Sequence, residues 1–289
     1  MILLEQFVQN ISKNLAQAGV ENSLREAQLI VTKAADWDLG QVILRQKEPL
    51  PPEFPLDIVH NWASRRALRE PMAYILGERE FFGRNFSIGP GALIPRPDSE
   101  TLVEWVLEDH DQFAFQHGLD LCCGPGTLGL TLFNELACPF DLVDISAEAL
   151  QYAQANLQRL AQHASLKIHQ LDLLKDHLEH LPKVDLMVCN PPYIPTSDLA
   201  ELMPEVRNYE PSLALDGGDS GLEFFESLLP RLSSLARPNC RLYVELGCGQ
   251  QKILDAKSLP QGWTREAWRQ DLAGISRVAC FTFLDKYHG

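Results

Sequence analysis

The spacing of apolar residues predicts helices in the first quarter of the chain. Phe7, Ile11 and Leu15 recur at every fourth position, as apolar residues do on one face of a helix. Ser23-Leu24-Arg25-Glu26 matches the capping-box pattern that marks the beginning of a helix. We therefore expect residues 1–75 to form a small helical bundle. This segment has no catalytic motif of its own.

Residues 76–100 have a different pattern. Phe81-Phe82 and Phe86-Ser87-Ile88 are short aromatic or β-branched runs with Gly83 between them, which predicts a β-hairpin linker. The prolines of Leu93–Glu100 restrict the chain to an extended loop. Asp98 or Ser99 is expected to cap a helix that begins at Glu100.

In residues 101–289, strand-like and helix-like segments alternate, which predicts an α/β domain with a doubly wound sheet. Ligands bind such sheets at the carboxyl ends of the strands. Amphipathic stretches lie at Ala147–Leu160 and Leu222–Leu235. The predicted strands are Gly118–Cys122, Phe140–Asp144, Leu166–His169, Leu186–Cys189, Arg241–Glu245 and Val278–Phe283.

Composition narrows the class of protein. The net charge of −14 counts against nucleic acid as a substrate, because nucleic-acid binders neutralise phosphates with Lys and Arg. The seven cysteines are odd in number and form no CxxC pair, so reduced thiols in a cytoplasmic protein are expected, and no metal site. No apolar run reaches the ~20 residues of a membrane span. The first residues, Met1–Gln6, have no signal-peptide pattern.

A glycine-containing turn follows the first predicted strand of this domain, in Asp120–Thr127. Gly124 and Gly126 would let backbone N–H groups approach a ligand, and Asp144 ends the next strand, where a carboxylate can accept both ribose hydroxyls. The spacing differs from the GxGxxG of dinucleotide sites and favours S-adenosylmethionine. Asp172, after the third strand, is a candidate acceptor for the adenine amino group. The alternative for the glycine-containing turn is a purely structural role. The alternative for Asp172 is a solvated acid in a loop.

The tetrapeptide Asn190-Pro191-Pro192-Tyr193 follows the fourth predicted strand. An amide nitrogen is a poor nucleophile because its lone pair is delocalised. The Asn190 side-chain oxygen and the Pro191 carbonyl could accept its two N–H groups and aim the lone pair at a methyl donor. Pro192 would add rigidity, and Tyr193 a flat face for stacking. The alternative is a rigid loop without chemistry.

With these motifs, the sequence resembles the HemK/PrmC methyltransferases, which methylate the glutamine of the GGQ motif in class 1 peptide chain release factors. The resemblance covers nearly the whole chain. It implies a class I (Rossmann-like) S-adenosylmethionine-dependent methyltransferase domain at 101–289, a linker at 76–100 and a substrate-docking bundle at 1–75. The segments that carry it are Glu70–Gly77, Glu80–Gly83, Leu93–Glu100, the cofactor turn, Asn190–Tyr193, Glu210-Pro211, Ala214–Gly218 and Glu245–Gly247.

The resemblance also implies roles for single residues. Asp144 would hold the ribose, Leu173, next to Asp172, would lie against the adenine, and Asn190–Tyr193 would hold the substrate glutamine, with Asn190 also near the cofactor. Arg96 is a candidate substrate contact. For Arg96 and Glu100 two alternatives are open: they contact substrate or cofactor, or they pair with each other. The residues that would line the methionine part of the cofactor are Cys122, Cys123, Gly124, Pro125 and Gly126.

One departure from the family affects cofactor affinity. The family usually has glycine where this chain has Cys122, and small residues at Cys123 and Pro125. The turn is expected to keep its shape if the φ angle of Cys122 is negative.

Two other functions stay open. One is methylation of another planar nitrogen, in a ribosomal-protein glutamine or in adenine. The other is a non-catalytic binding module, against which the intact Asn190–Tyr193 motif argues. A monomer is expected.

Overall fold

The computed structural model of the chain describes residues 2–161 and 166–284. The helices are α1 (Leu4–Gln17), α2 (Ser23–Ala35), α3 (Leu39–Leu44), α4 (Leu56–Ala67), α5 (Met72–Leu76), α6 (Glu100–Phe113), α7 (Thr127–Leu136), α8 (Ala147–Leu160), α9 (Pro204–Tyr209), α10 (Glu223–Leu232) and α11 (Gln250–Asp255). The strands are β1 (Glu78–Phe81), β2 (Arg84–Ser87), β3 (Gly118–Leu121), β4 (Phe140–Asp144), β5 (Leu166–Gln170), β6 (Val184–Cys189), β7 (Ala236–Glu245), β8 (Trp263–Gln270) and β9 (Ser276–Phe283).

The described chain divides into two compact units. One contains the residues up to Gly77 together with Met203–Tyr209, and the other contains Glu78–Leu202 and the residues from Glu210 onward. The first unit is helical and has its own apolar core, to which Phe7, Ile11 and Leu15 contribute. Among the described residues, no helix is both long and apolar enough to span a membrane.

The capping box predicted at Ser23–Glu26 does not form, although α2 does begin at Ser23. Asn22 precedes the helix in a left-handed conformation with φ of 51°, and its side chain makes no capping hydrogen bond. The Ser23 hydroxyl lies 3.1 Å from that of Ser12, and Glu26 forms an ion pair with Arg66. The prediction was wrong because both side chains bond residues of other helices instead.

The second unit contains a seven-stranded sheet in the order β5-β4-β3-β6-β7-β9-β8. The strands from β5 to β7 are parallel, and β9 runs antiparallel to both of its neighbours. Apolar clusters lie on both faces of the sheet: Leu142 of β4 belongs to one and Val143 to the other. The α/β prediction is therefore confirmed, and so is the hairpin, in which β1 pairs with β2.

The edge strand β8 was not predicted from the sequence. Its pairing with β9 shifts register between Arg265 and Ala267, so apolar and polar residues do not alternate regularly along it. The other strands begin or end within a few residues of their predicted limits, except that β7 begins at Ala236 instead of Arg241.

Candidate active site

The sheet has a pocket at the carboxyl ends of three adjacent strands. Cys122 follows β3, Asp144 ends β4 and Asn190 follows β6, and all three residues line this pocket, which has a volume of about 320 Å³. The predicted site residues that line it are Arg96, Cys122, Cys123, Gly124, Pro125, Asp144, Asp172, Leu173, Asn190 and Pro192. Gly126, Pro191 and Tyr193 are not among the residues that line it.

The turn after β3 contains three residues in the left-handed region. Cys122 has φ of 60°, Gly124 of 54° and Gly126 of 80°. The condition that Cys122 has a negative φ is therefore not met. The turn keeps its shape with a non-glycine residue in a conformation that costs about 1–2 kcal/mol. A hydrogen bond with Cys189, together with burial, raises the pKa of the Cys122 thiol well above its ordinary value.

Gly124 and Gly126 serve different purposes in this turn. A Cβ atom on Gly124 would meet nothing within 4 Å, so the backbone of Gly124 is open to the pocket. A Cβ atom on Gly126 would approach Leu130 and Leu142 to 3.0 Å. Gly126 therefore allows α7 to pack closely on β4, while Gly124 leaves room for a ligand.

Asp144, at the end of the neighbouring strand β4, stabilises the turn after β3 through hydrogen bonds. One oxygen of its carboxylate accepts a hydrogen bond from the Gly124 N–H at 2.8 Å, and the other accepts from the Ser146 N–H at 2.8 Å. Burial raises the pKa of Asp144 above its ordinary value, although these hydrogen bonds oppose the rise. Each carboxylate oxygen keeps a lone pair that can accept a ligand hydroxyl.

Asp120 is a second carboxylate in the pocket wall, and it is only 1% exposed. Its Oδ2 accepts from the Gly129 N–H at 2.7 Å, whereas its Oδ1 is buried and has no hydrogen-bond partner in the described part of the chain. Burial raises the pKa of Asp120 to about 8. A buried acceptor of this kind suits a cationic group in the pocket, such as an ammonium.

Asp172 and Leu173 line the pocket beyond the end of β5. The Asp172 carboxylate accepts from the Leu174 N–H at 2.9 Å and pairs with Lys175 at 3.0 Å. Burial raises the pKa of Asp172, but these hydrogen bonds outweigh burial and hold the pKa below its ordinary value. The carboxylate is therefore charged, and the buried Leu173 presents an apolar surface beside it.

The loop after β6 places one polar side chain in the pocket. Asn190 lines it, and its Nδ2 lies 3.5 Å from the Ser99 hydroxyl. Tyr193 instead donates to the Glu245 carboxylate at 3.2 Å, and burial raises the pKa of the phenol. The structure thus brings Asn190 and Pro192 to the pocket, but not the ring of Tyr193.

Two other segments hold the Asn190–Tyr193 loop from behind. The Gln250 side chain donates to the Tyr193 carbonyl at 2.8 Å and accepts from the Gly247 N–H at 2.7 Å. Ile194 pairs with Asp216 in an isolated parallel bridge. A Cβ atom on Gly217 would lie 2.8 Å from the Pro192 carbonyl oxygen, so only glycine fits there.

Arg96 and Glu100 have separate partners. Arg96 pairs with the buried Glu210 at 2.6 Å, and Glu210 also accepts from the Ile94 N–H at 3.0 Å. Glu100 accepts from the Phe82 N–H at 3.0 Å. The alternative that Arg96 and Glu100 pair with each other is therefore wrong. The Arg96–Glu210 pair holds the extended Ile94–Pro97 segment, and Arg96 reaches the pocket wall.

Two family matches cover most of the chain. Residues 6–77 match the PrmC N-terminal domain, and residues 97–203 match the methyltransferase small domain. A release factor glutamine methyltransferase from Geobacter sulfurreducens is 38% identical over 91% of each chain. One from Moorella thermoacetica is 36% identical over 96% of this chain and 97% of its own. The chain belongs to the release factor glutamine methyltransferase family.

More distant structures share the fold of this family member. The catalytic domain of hMettl16, solved in complex with the MAT2A 3'UTR hairpin 6, aligns with a TM-score of 0.52 at 18% identity. That alignment covers 78% of this chain and 83% of that one. A methyltransferase from Pyrococcus furiosus aligns with a TM-score of 0.50 at 15% identity, over 80% and 98% of the two chains. Both likenesses show the methyltransferase fold alone.

Four residues around the family's motifs were not singled out as site residues from the sequence. Asp120 was noted only as the start of the turn, and Glu245 only as part of a segment that resembles the family. Ser99 was expected to cap α6, but it makes no side-chain cap. Gln250 has no local signal in the sequence. A buried acid at the end of a predicted strand was the available signal for Glu245.

Proposed function

We propose that this protein transfers a methyl group from S-adenosylmethionine to the side-chain amide nitrogen of the glutamine in the GGQ motif of class 1 peptide chain release factors. The observation that carries the proposal is that Asn190 shares one pocket with the turn after β3 and with Asp144. A hydrogen-bonding side chain suited to an amide thus lies beside a site suited to a methyl donor.

The residues of the pocket fit the proposed cofactor. S-adenosylmethionine supplies a methyl group on a positively charged sulfur, which leaves as a neutral thioether. The Asp120 Oδ1, which has no hydrogen-bond partner among the described residues, would accept its ammonium group, and Asp144 would accept its ribose hydroxyls. Asp172 and Leu173 would border the adenine. The open backbone at Gly124 leaves room for the methionine part.

The acceptor side needs alignment more than a strong base. The Asn190 side-chain oxygen would accept one N–H group of the glutamine amide. The Pro191 carbonyl, which comes next in the loop although Pro191 does not line the pocket, would accept the other, and the two bonds would turn the nitrogen lone pair toward the methyl carbon. As the nitrogen–carbon bond forms and the sulfur–carbon bond breaks, the nitrogen becomes acidic and releases one proton to water. Positioning and the electrostatics of a partly enclosed pocket would then account for most of the rate.

We also infer that the substrate is a protein and not nucleic acid, and that the enzyme acts in the cytoplasm as a monomer. The net charge of −14 supports the first inference. The seven cysteines are all free thiols, which supports a reducing compartment. Methylation of another planar nitrogen, in a ribosomal-protein glutamine or in adenine, is the alternative that the experiment must separate.

The experiment offers the protein labelled S-adenosylmethionine with three acceptors: a class 1 release factor, its GGQ Gln→Ala variant, and DNA. Label is expected in the intact release factor alone. Label in DNA, or equal label in the Gln→Ala variant, would contradict the proposal.

A further inference from the structure

We infer that Tyr193 anchors the Asn190–Tyr193 loop to the segment Glu245–Gln250, and that Glu245 and Gln250 are positioning residues for the methyl acceptor. The inference rests on the proposed function, since it concerns the same loop. It assigns a task to Tyr193, which does not line the pocket, and to two residues that do not line it either.

The sheet brings the loop and this segment together. Cys189 of β6 pairs with Val244 of β7 in a parallel register, so the two strands end side by side. Asn190 is the next residue after Cys189, and Glu245 is the next residue after Val244. The chain that follows β6 therefore lies beside the chain that follows β7.

Three groups of Tyr193 contact the segment. The Tyr193 hydroxyl donates to the Glu245 carboxylate at 3.2 Å, and Glu245 is 1% exposed. The Tyr193 carbonyl accepts from the Gln250 side chain at 2.8 Å, and Gln250 is 4% exposed. A Cβ atom on Gly247 would lie 3.3 Å from the Tyr193 Cδ2, so the ring lies against the backbone of Gly247. One short segment thus holds the hydroxyl, the carbonyl and the ring of Tyr193.

The hydrogen bonds of Gln250 have only one possible direction. Its Oε1 accepts from the Gly247 N–H at 2.7 Å. A backbone N–H can only donate and a backbone carbonyl can only accept, so the NH₂ end of Gln250 must face Tyr193. The contact of Tyr193 with Glu245 needs no particular protonation state, because a phenol can donate to an ionised carboxylate or accept from a protonated one.

Tyr193 acts on Asn190 through two prolines. The rings of Pro191 and Pro192 fix φ at about −65°, so the backbone between Asn190 and Tyr193 has little freedom to absorb a displacement. The sheet holds Cys189 at one end of the loop, and Tyr193 is the fixed point at the other end. A shift of Tyr193 would therefore move the Asn190 side chain, on which the alignment of the acceptor nitrogen with the methyl carbon depends.

The Tyr193 hydroxyl is tested by Tyr193→Phe, which keeps the ring and loses the bond to Glu245. It should lower kcat on a release factor about tenfold, as expected for the loss of one buried hydrogen bond, and leave the Kd for S-adenosylmethionine near that of the wild type. A ring that only stacked on the acceptor would serve as well in phenylalanine. Tyr243→Phe is the matched control, because its hydroxyl bonds the Asp109 carboxylate and neither residue lines the pocket.

Gln250 is tested by two variants that differ in one hydrogen bond. Gln250→Met has a similar length and removes both bonds. Gln250→Glu keeps the acceptor for the Gly247 N–H, but at about pH 9, well above the ordinary carboxyl pKa of about 4.3, it has no proton to donate to Tyr193. Both variants should lower kcat about tenfold. If Gln250 supported only the turn at Gly247, Gln250→Glu would keep the turnover of the wild type.

Amide hydrogen exchange gives a measurement that does not depend on turnover. The Ile194 N–H, next to the anchor, donates to the Leu215 carbonyl at 2.9 Å. Its exchange should be about tenfold faster in Tyr193→Phe and in Gln250→Glu than in the wild type, because the loop opens more often when one anchoring bond is lost. Tyr243→Phe should leave it unchanged.

Wild-type turnover in Tyr193→Phe or in Gln250→Glu would overturn the inference. So would a loss confined to the Kd for S-adenosylmethionine, or exchange at Ile194 that is unchanged in both variants. Should Gln250→Met not fold, the nearly isosteric Gln250→Glu decides in its place. A wild-type protein that does not methylate the release factor would contradict the proposed function instead, and the exchange rates would then decide the inference about the anchor.

Discussion

At Cys122 the backbone has a conformation that glycine adopts without strain. The φ of 60° brings Cβ close to the following carbonyl, which disfavours any residue that has a Cβ atom. The residue was expected to alter cofactor affinity. The structure shows that the left-handed backbone at Cys122 also lowers the stability of the folded protein.

This strain reverses the usual order of two substitutions. Cys122→Gly should be more stable to unfolding than Cys122→Ala by about 1 kcal/mol, because only alanine keeps the strained Cβ atom. At Cys138, which is buried and has no positive φ, the order should be the ordinary one, with alanine the more stable. Urea unfolding of the four variants measures both differences. An alanine at position 122 that is as stable as glycine would show that the turn is not strained.

Asp120 makes stability depend on pH. Burial raises its pKa from the ordinary 3.8 to about 8 in the folded protein, so the folded state holds a proton that the unfolded state loses. Its favourable contribution is complete below about pH 4 and is lost as the pH rises to about 8.

Asp120→Asn should remove this dependence and keep the acceptor for the Gly129 N–H. In the absence of cofactor, the free energy of unfolding of the wild type should fall relative to that of Asp120→Asn as the pH rises from about 4 to about 8. Urea unfolding across this range measures the difference, and the exposed Asp219→Asn serves as the control. Parallel curves for the wild type and Asp120→Asn would show that Asp120 titrates as an ordinary exposed carboxylate.

At the scale of elements, several chain segments form the active site at one edge of the sheet. The turns after β3, β4 and β6 supply the pocket, and the segments around Ser99, Gly217 and Glu245 hold the Asn190–Tyr193 loop from behind. The loop is thus held by tertiary contacts in addition to its own two prolines.

Gly217→Ala tests this support. Its Cβ atom would lie 2.6 Å from the Gly221 carbonyl oxygen and 2.8 Å from the Cα of Tyr193, which belongs to the loop, so the loop backbone would have to shift. A displacement of about 1 Å should lower kcat on the order of 100-fold. Gly40→Ala, whose Cβ atom meets only the end of the Asp38 side chain, is the control for the substitution itself. Steady-state kinetics on a release factor check both, and an unchanged kcat for Gly217→Ala would show that the loop tolerates displacement.

Elements with a clear local pattern could be predicted from the sequence. The helix Ala147–Leu160 and the strand Phe140–Asp144 have the predicted limits, because their apolar residues recur at the helical or strand period. The edge strand β8 could not be predicted, since a register shift disrupts its alternation. The contact of Asn190 with Ser99 joins residues 91 positions apart, and no local pattern indicates which acceptor a buried amide will meet.

At the scale of the whole molecule, the chain leaves the methyltransferase unit after Leu202 and returns to it at Glu210. The intervening segment packs with the helical unit, where Glu205 pairs with Arg66 at 2.9 Å and with Arg69 at 2.7 Å. The Tyr209 hydroxyl donates to the Leu68 carbonyl at 2.7 Å. The helical unit is therefore completed by a segment that follows the Asn190–Tyr193 motif in sequence, and neither unit is a simple continuous stretch of chain.

The central claim is that the Asn190 side chain holds the nitrogen that receives the methyl group. The most direct measurement is single-turnover methylation of a release factor by Asn190→Ala, together with its Kd for S-adenosylmethionine. Asn134→Ala, on α7 outside the pocket, is the matched control. We predict that the rate of Asn190→Ala falls on the order of 100- to 1000-fold, as for other groups that act in a transition state, while cofactor binding persists. A rate near that of the wild type, with methyl still on the GGQ glutamine, would contradict the account.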